Sequence, residues 1–331
     1  MASFIQTRRQ FARTVAALGA ASFALPSMAQ TSFPTKQVRL YVGASAGGAP
    51  DAAARTMGRL LEESWKQSVV IDNKPGISGL LAADATAQAA PDGHSLCMLL
   101  DTVLNTVPHL SENLLIDPIK SLKPIGMVGS FPLVLVVNAA LPYRTLQQLV
   151  AAAKARPGSI DVGSSGPGSS GHVATELFSR AAELKLNHVP YKGGLPALQD
   201  TAAGHVASMW SSVGAAMPFI KDGRLISLAV GSDTRFSLLP NVPTFQELGF
   251  PRFTAGNWLA LMGPAALPDS LAQRIYADVV ALGNNDAYRQ TLLNQGIEAK
   301  SMGSGELSQL IRAEYERNKS LFSSLGLGRG K

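Results

Sequence analysis

The sequence predicts an α/β protein of two domains, each with a mostly parallel sheet flanked by helices. Short runs of apolar and β-branched residues alternate with segments whose apolar residues recur at helical spacing. Such alternation is typical of parallel strands joined by right-handed helical crossovers. The chain has 331 residues, of which 46% are hydrophobic and 16% are charged. At about 100–200 residues per domain, this length and composition indicate two globular domains.

Residues 1–29 differ from the rest and predict a cleavable signal peptide. Arg8 and Arg9 lie in a basic start without acidic residues, and the apolar segment 15–25 is too short to span a membrane. In Ser27-Met28-Ala29 the two outer residues then offer small side chains of the kind that signal peptidase accepts. Residues 7–11 resemble the twin-arginine signal, so the Sec and the Tat export routes both stay open. We expect an exported protein whose fold begins after residue 29.

The first unit follows the expected alternation of strands and helices. Residues 38–42 form the first predicted strand, and a glycine-rich loop follows it. Pro50 then suits the first turn of a helix whose apolar residues recur three and four positions apart. The further predicted elements are a strand at 69–71, the loop 73–79, an alanine-rich helix ending at Ala90, the turn 91–93 and a strand at 95–100.

A second unit repeats this plan after residue 132. The β-branched run at 133–137 predicts a strong strand that ends at Asn138. After it the sequence predicts helix 146–155, strand 159–163, helix 173–182, a strand around 188–189, a helix from 196, and strands 206–210 and 225–230. A buried strand at 258–262 and two amphipathic helices, at about 269–283 and 305–322, complete the predicted elements.

Charge, cysteine and histidine usage exclude several classes of protein. Without the three arginines of residues 1–29 the net charge falls from +6 to about +3, and the remaining basic residues are scattered, so nucleic acid is not a predicted partner. Cys97 is the single cysteine and has apolar neighbours, which predicts a buried structural thiol and no internal disulfide. The five histidines lack the spacing of metal ligands.

The segment 166–171 matches the dinucleotide-binding pattern G-x-G-x-x-G, but its surroundings do not fit that function. A ribose-binding acid belongs at the end of the next strand, where this chain has Tyr191 and Lys192. No G-K-S or G-K-T sequence exists for a phosphate-binding loop. Around Ser165 the hydrolase pattern G-x-S-x-G fails, because Pro167 replaces its last glycine. The loops therefore predict neither a cofactor nor a catalytic residue.

The same glycines and serines form a predicted anion site. Residues 164–170, here called the serine loop, present N–H groups and hydroxyls at the start of a predicted helix, where the helix dipole is positive. Residues 43–51, the glycine loop, follow the first strand. Ligands of open parallel sheets bind at the carboxyl ends of strands. We therefore expect the two loops, one per domain, to face each other across a cleft that binds a small carboxylate.

Several short motifs together resemble one known family. They are Gly47-Gly48-x-x-Asp51, Asn-Lys-Pro-Gly at 73–76, Pro-Asp-Gly at 91–93, Ser164-Ser165-Gly166-x-Gly168-Ser169-x-x-His172, Val-Pro-Tyr-Lys-Gly at 189–193 and Leu-Pro-x-Val-Pro-Thr at 239–244. Their order and spacing resemble the receptor component of the tripartite tricarboxylate transporters, the Bug-type periplasmic solute receptors, over essentially the whole mature chain.

The resemblance implies a two-domain type II periplasmic binding protein that closes on its ligand and is not an enzyme. Domain 1 would comprise residues 30–132 and 253–331, and domain 2 residues 133–252, with the ligand cleft between them. The implied partners are a small carboxylate and the membrane permease subunits of the transporter. The receptor is expected to be periplasmic and monomeric, with no cofactor and no metal.

The resemblance also implies which residues hold the ligand. The serine loop is expected to hold the carboxylate, and the glycine loop to complete the site with backbone groups and water. The candidate ligand-binding residues are Ser45, Gly47, Gly48, Asp51, Ser164, Ser165, Gly168, Ser169, Ser170, His172, Tyr191, Lys192 and Ser211. Of these, Asp51 is equally compatible with an acid at a helix start, and His172 with a packing residue.

One departure from the family bears on the ligand. Where the family often has Phe-Asp-Asn, this chain has Trp210, Ser211 and Ser212. A buried ammonium group needs an acceptor, preferably an acid, so the sequence predicts a carboxylate without an amine. Two alternatives stay open: an exported α/β hydrolase or oxidoreductase, and a ligand-binding sensor subunit of a signalling system.

Overall fold

The computed structural model describes residues 33–75, 79–111, 114–251, 253–324 and 326. From Lys36 onward the chain forms one compact unit, and the strands and helices given below belong to it. The predicted signal peptide, residues 1–29, lies outside the described residues. Within them, no helix combines the length and the apolar character needed to cross a membrane.

The chain from β1 to α5 builds the first part of the sheet and the helices that cover it. Its strands are β1 (Val38–Val42), β2 (Val69–Asn73) and β3 (Ser95–Leu100), and its helices are α1 (Ala49–Trp65), α2 (Leu80–Ala87), α3 (Asp101–Asn105), α4 (Val107–Leu110) and α5 (Pro118–Ser121). Pro50 lies in the first turn of α1, where the missing N–H costs no hydrogen bond. Ala53, Met57 and Leu61 form the buried face of this helix, as their spacing predicts.

A long strand then leads into the second part of the sheet. β4 (Leu122–Asn138) is followed by α6 (Leu146–Ala155), β5 (Asp161–Ser164), α7 (Ser170–Ala181), β6 (Asn187–Pro190), α8 (Gly194–Ala203), β7 (Ser208–Ser212), α9 (Val213–Lys221) and β8 (Leu225–Val230). The last elements are β9 (Gly256–Pro264), α10 (Asp269–Gly283), α11 (Asp286–Asn294), β10 (Glu298–Gly303) and α12 (Ser304–Ser324).

The strands form one sheet in the order β2-β1-β3-β9-β4-β7-β5-β6, and β8 and β10 also pair with β4. β1 pairs in parallel with β2 and β3, and β5 pairs in parallel with β6 and β7. β9 runs antiparallel between β3 and β4. The parallel units on both sides of β4 agree with the predicted α/β class, whereas the antiparallel insertion of β9 is an addition that the sequence pattern did not predict.

β4 belongs to both parts of the sheet and changes partners along its length. Residues 122–132 pair with β9, and residues 133–138 pair with β7 and β8. The apolar core follows the same change, since one cluster joins β3, α2 and β9 and another joins β5, α6 and α7. The change of partners falls at the predicted boundary between the domains. The division into two domains stays a prediction, because the chain from Lys36 onward clusters as one unit.

Some element bounds differ from the sequence-based expectations. β4 begins at Leu122 instead of residue 133, although Pro124 and Gly126 interrupt its pattern. A side chain at Gly126 would collide with the ring of Tyr276, so the glycine allows α10 to pack closely on the strand. α7 begins at Ser170 instead of residue 173, because Ser169 caps it. β7 ends two residues later than predicted, and α11 and β10 had no prediction.

Candidate functional site

The serine loop joins β5 to α7, and its own side chains hold it in shape. Ser164 is fully buried, and its Oγ accepts a hydrogen bond of 3.1 Å from the N–H of Gly166 and lies 2.6 Å from Nε2 of His188. Gly166 and Gly168 adopt φ angles of +122° and +75°, which favour glycine. The Ser164 hydroxyl is thus engaged within the loop.

His172 supports the same loop from the first turn of α7. Its Nδ1 accepts a hydrogen bond of 3.0 Å from the N–H of Gly168, and its ring stacks on the ring of His188 with centroids 4.1 Å apart. Nε2 of His172 lies 3.8 Å from Oε1 of Glu176. Burial, together with the charge of His188, lowers the pKa of His172 to about 4. The ring is therefore neutral at neutral pH, and its Nδ1 remains an acceptor for the loop.

The other serines of the loop differ in what they contact. Ser169 is the N-cap of α7, and its Oγ accepts a hydrogen bond of 3.4 Å from the N–H of His172. The Oγ of Ser170 contacts Oδ1 of Asn257 in β9, whereas Ser165 is exposed. The loop therefore presents an exposed hydroxyl beside the first N–H groups of a helix, where the dipole favours an anion.

The glycine loop is held by Asp51, a buried residue of α1. Oδ2 of Asp51 accepts hydrogen bonds from the N–H of Gly47 at 2.8 Å and from Nε of Arg55 at 3.0 Å, and Oδ1 accepts one from Asn73 at 2.9 Å. Burial alone would raise the pKa of Asp51, but the bonds from Arg55, Gly47 and Asn73 outweigh it and lower the pKa. Asp51 thus fixes the loop, while Ser45 and Gly47 are exposed.

Tyr191 and Lys192 follow β6, and Ser211 lies near the end of β7, the two strands that flank β5. The hydroxyl of Tyr191 donates to Oδ2 of Asp200 at 2.9 Å, and burial together with this bond raises the pKa of Tyr191 to about 12. Lys192 is exposed. Ser211 is buried, and its hydroxyl donates to the carbonyl of Ser212 at 3.2 Å. Of these three, Lys192 is the residue whose side chain points to solvent.

The structure brings Tyr191 close to the serine loop, and Thr106 and Leu110 pack against the same loop from the other side of the predicted domain boundary. The N–H of Tyr191 donates to the carbonyl of Ser164 at 3.0 Å, because β5 and β6 are paired. A Cβ atom built at Gly168 would lie 2.5 Å from Cδ1 of Leu110 and 3.7 Å from Cγ2 of Thr106. No hydrogen bond joins the serine loop to the glycine loop in the described part of the chain, so the predicted meeting of the two loops stays a prediction.

A cavity of about 80 Å³ adjoins the serine loop between α3, α7 and α12. Its principal polar lining residues are Asp101, Asn105, Ser170, Glu314, Arg317 and Asn318, and we call it the acidic cavity. Sequence reasoning missed both of its acids. Asp101 did carry a signal, because it directly follows the apolar strand β3 at the carboxyl end where ligands bind. Glu314 carried none, since an acid on an amphipathic helix is ordinary.

The two acids of the cavity, Asp101 and Glu314, differ in their hydrogen-bond and ion-pair partners. Oε2 of Glu314 accepts hydrogen bonds from Asn105 at 2.6 Å and from the indole of Trp258 at 3.0 Å, and Oε1 lies 3.9 Å from Arg317. Asp101 is 7% exposed, and its Oδ1 has no hydrogen-bond partner among the described residues. Burial, and after it the charge of Glu314, raises the pKa of Asp101 well above its usual value.

Cysteine and metal-ligand chemistry play no visible part in these loops. Cys97 is buried in β3, as predicted, and burial raises the pKa of its thiol to about 12. Within the residues that the structure describes, no group of three or more His, Cys, Asp or Glu side chains is arranged to hold a metal ion.

Comparison with known proteins identifies the family to which the fold and the motifs belong. Residues 53–327 match the family model described as Tripartite tricarboxylate transporter family receptor, TctC. Protein BugT of Bordetella pertussis is 37% identical over 252 residues, which cover 75% of this chain and 76% of that protein. The relationship therefore extends over most of both chains.

Two solved structures show the same fold. The structure described as "R. palustris Rpa4515 with adipate" is 29% identical, with a TM-score of 0.82, over 89% of this chain and 99% of that one. MatC from Rhodopseudomonas palustris with bound malate is 26% identical, with a TM-score of 0.77, over 87% of this chain and 99% of that one.

These findings confirm the predicted periplasmic-binding-protein fold class and the predicted family. The matched family consists of periplasmic solute-binding receptors, and the loops that the motifs singled out lie at strand ends in this fold. The chain belongs to the tripartite tricarboxylate transporter receptor family, TctC.

Proposed function

We propose that this receptor binds a small organic carboxylate at the serine loop and delivers it to the membrane permease of a tripartite tricarboxylate transporter. The observation that carries the proposal is the loop itself. It presents N–H and hydroxyl donors at the start of α7, which can bind an anion without a charged side chain. Ser164 and His172 accept the N–H groups of Gly166 and Gly168 and thereby hold the loop in shape. The donors left for a ligand are therefore already positioned, and binding costs little ordering entropy.

The similar structures support a carboxylate as the class of ligand. Adipate and malate, the ligands named for the two Rhodopseudomonas palustris proteins, are both dicarboxylates. A carboxylate oxygen accepts several hydrogen bonds, which hydroxyls and backbone N–H groups can supply. The donor set of the serine loop matches this chemistry.

We propose two roles for the candidate residues. The candidate ligand contacts are Ser45, Gly47 and Gly48 on the glycine loop, Ser165, Gly168, Ser169 and Ser170 on the serine loop, and Tyr191, Lys192 and Ser211 at the neighbouring strand ends. Asp51, Ser164 and His172 act by holding those contacts in position, since their polar atoms bond within the two loops.

The proposal includes export and a hinged, monomeric mature receptor. Residues 1–29 are removed after passage through the Sec or the Tat route, and no metal or cofactor is needed. Domain 1 then comprises residues 30–132 and 253–331, and domain 2 comprises residues 133–252. The change in the partners of β4 between residues 132 and 133 supports this division.

One contact favours the alternative of an exported hydrolase. Ser164 lies 2.6 Å from His188, in the manner of a nucleophile and its base. However, Ser164 has no exposed surface, and its Oγ also bonds to Gly166, so a substrate carbonyl does not reach it. Turnover of esters by the purified protein, abolished by Ser164→Ala, would support the hydrolase. A sensor subunit would use the same ligand site as the transport receptor.

Native mass spectrometry of gently purified mature protein tests the proposed function. We expect a co-purifying small carboxylate that dialysis removes and whose return raises the melting temperature. At 100 times its dissociation constant, a ligand stabilises the folded protein by about 2.7 kcal/mol. Ser165→Ala should weaken this stabilisation, whereas Ser232→Ala, at a partly exposed serine that belongs to neither loop and bonds to the carbonyl of Thr234, should not. A bound ligand without a carboxyl group would contradict the proposal.

A further inference from the structure

The acidic cavity and the serine loop are direct neighbours. Ser170 lines the cavity and follows Ser169, the cap of α7. Thr106 also lines the cavity, and its Cγ2 lies 3.7 Å from the position of a Cβ atom at Gly168. A ligand whose carboxylate is held by the loop can therefore extend its other end into the cavity.

The cavity contains one buried carboxyl group, that of Asp101, which has no ion pair among the described residues. Asp101, Glu314 and Arg317 are the titratable groups among its lining residues, and none lines it from α7 or from residues 254–256. Glu314 faces Arg317 and accepts two hydrogen bonds. Asp101 has no ion pair in the described part of the chain, and its buried Oδ1 has no hydrogen-bond donor there. Such an acceptor is costly until a donor reaches it.

We propose that the acidic cavity receives the ammonium group of an amino-carboxylate ligand, with Asp101 as its counter-ion and Glu314 as a second acceptor. The inference rests on the proposed function, because the serine loop holds the carboxylate of the same ligand. A neutral hydroxyl would supply a single donor. An ammonium group supplies several N–H donors, for the unpartnered Oδ1 of Asp101 and for Glu314, and its positive charge stabilises the carboxylate form of Asp101. The expectation of an amine-free ligand rested on Ser211 and Ser212 at the end of β7, whereas the structure provides an acid at the end of β3.

Ligand entry changes the protonation of Asp101. In the empty cavity, burial and the charge of Glu314 favour the neutral carboxyl group of Asp101. An ammonium group beside it favours the carboxylate, so the O–H bond of Asp101 breaks and the proton passes to the solvent. Binding of an amine-bearing ligand is therefore coupled to proton release, while binding of an amine-free acid is not.

Matched ligand pairs test the inference by calorimetric titration of the mature receptor. The pairs are aspartate and succinate, glutamate and glutarate, and 6-aminohexanoate and hexanoate. We expect an amine-bearing member to bind at least tenfold more tightly than its partner, with an enthalpy that depends on the buffer because a proton is released. Asp101→Asn should abolish the preference and the proton release while retaining affinity for the amine-free acids. Asp222→Asn, an exposed acid paired with Arg224, should change neither.

The outcomes separate this inference from the proposed function. Tighter or equal binding of the amine-free member in every pair overturns the inference and leaves the proposed function standing. A ligand without a carboxyl group in the native mass spectrum, with no binding of the six probes, overturns both. Proton release is measured on the unmodified receptor and therefore tests the inference even if Asp101→Asn folds poorly. Binding of an amine-bearing ligand without proton release would contradict the inference. Asp101→Asn should fold, because it removes a buried acid that has no ion pair among the described residues and keeps an oxygen that accepts the backbone bonds from Thr102 and Trp258.

Discussion

The imidazole rings of His172 and His188 stack with their centroids 4.1 Å apart and their planes 9° from parallel. His188 lies 2.6 Å from Ser164, and His172 accepts the N–H of Gly168, so the pair supports both ends of the serine loop. Two imidazolium ions at this separation would repel each other. The shape of the loop therefore depends on the neutral form of the pair.

Acid should destabilise the protein through His172. Folding lowers its pKa from 6.5 to about 4, so the unfolded chain binds the proton first as the pH falls. The free energy of unfolding should therefore be unaffected by this group above pH 6.5 and decrease between pH 6.5 and 4, by on the order of 1–3 kcal/mol. Burial of His188 acts in the same direction. Urea unfolding at a series of pH values measures the effect.

The control for this prediction is another histidine. His172→Gln should flatten the pH dependence, whereas His205→Gln should leave it intact, because the side chain of His205 is 70% exposed. An unchanged pH dependence in His172→Gln would assign the acid sensitivity to other groups.

Replacement of Ser169 should affect binding and stability together. Ser169→Ala should weaken carboxylate binding by about 1–3 kcal/mol, since a charged acceptor loses a donor. It should also lower the free energy of unfolding by about 1 kcal/mol, because Ser169 caps α7. Thr145→Ala removes the capping box of α6 and should cost similar stability without a loss of affinity. Intact affinity in Ser169→Ala would remove Ser169 from the site.

Two glycines with similar backbone angles should respond differently to alanine. Gly168 and Gly223 have φ angles of +75° and +70°, so either alanine should cost about 1–2 kcal/mol of stability. At Gly223 a Cβ atom meets nothing within 4 Å, whereas at Gly168 it lies 2.5 Å from Leu110. We expect Gly168→Ala to lose more stability and to weaken binding. Equal stability of the two variants, with unchanged binding, would show that Leu110 moves aside freely.

Asp51 should influence binding through the glycine loop. Asp51→Asn loses an acceptor for Gly47 or Arg55 and should lower the free energy of unfolding by about 1–3 kcal/mol. Ligand affinity should fall in parallel, because the loop is less well fixed. Asp92→Asn disrupts bonds to Lys36 and His94 and should lower stability alone. A loss of affinity without any loss of stability would instead place Asp51 in direct contact with the ligand.

Features with a local signal were predictable from the sequence. Helix α10 and strands β3 and β8 coincide with the predicted segments 269–283, 95–100 and 225–230, because their patterns need no distant partner. β9 contains the predicted segment 258–262, but its place between β3 and β4 depends on pairing between segments far apart in the chain. A sequence pattern does not contain that information.

The candidate site likewise has a part that the sequence predicts and a part that it does not. The glycines, the serines and the helix start of the serine loop are contiguous, so their combination was visible. The acidic cavity was not, because Asn105 and Glu314, which meet at 2.6 Å, are 209 positions apart. Residue type also does not reveal the partner: Asp51 and His172 have the chemistry of ligand contacts, yet in the fold their polar atoms bond to Gly47 and Gly168.

The place of β9 in the sheet has a consequence for the timing of folding. β9 lies between β3 and β4, yet the ribosome makes it only after eight of the other nine strands, β1 to β8, have been completed. Until residues 256–264 emerge, β3 and the first part of β4 have backbone edges without the strand that joins them. Closing the sheet over such a sequence separation is slow. A nascent chain that lacks β9 therefore cannot complete the sheet, and it stays an open substrate for chaperones and translocation machinery until the last fifth of the chain (about 70 residues) is made.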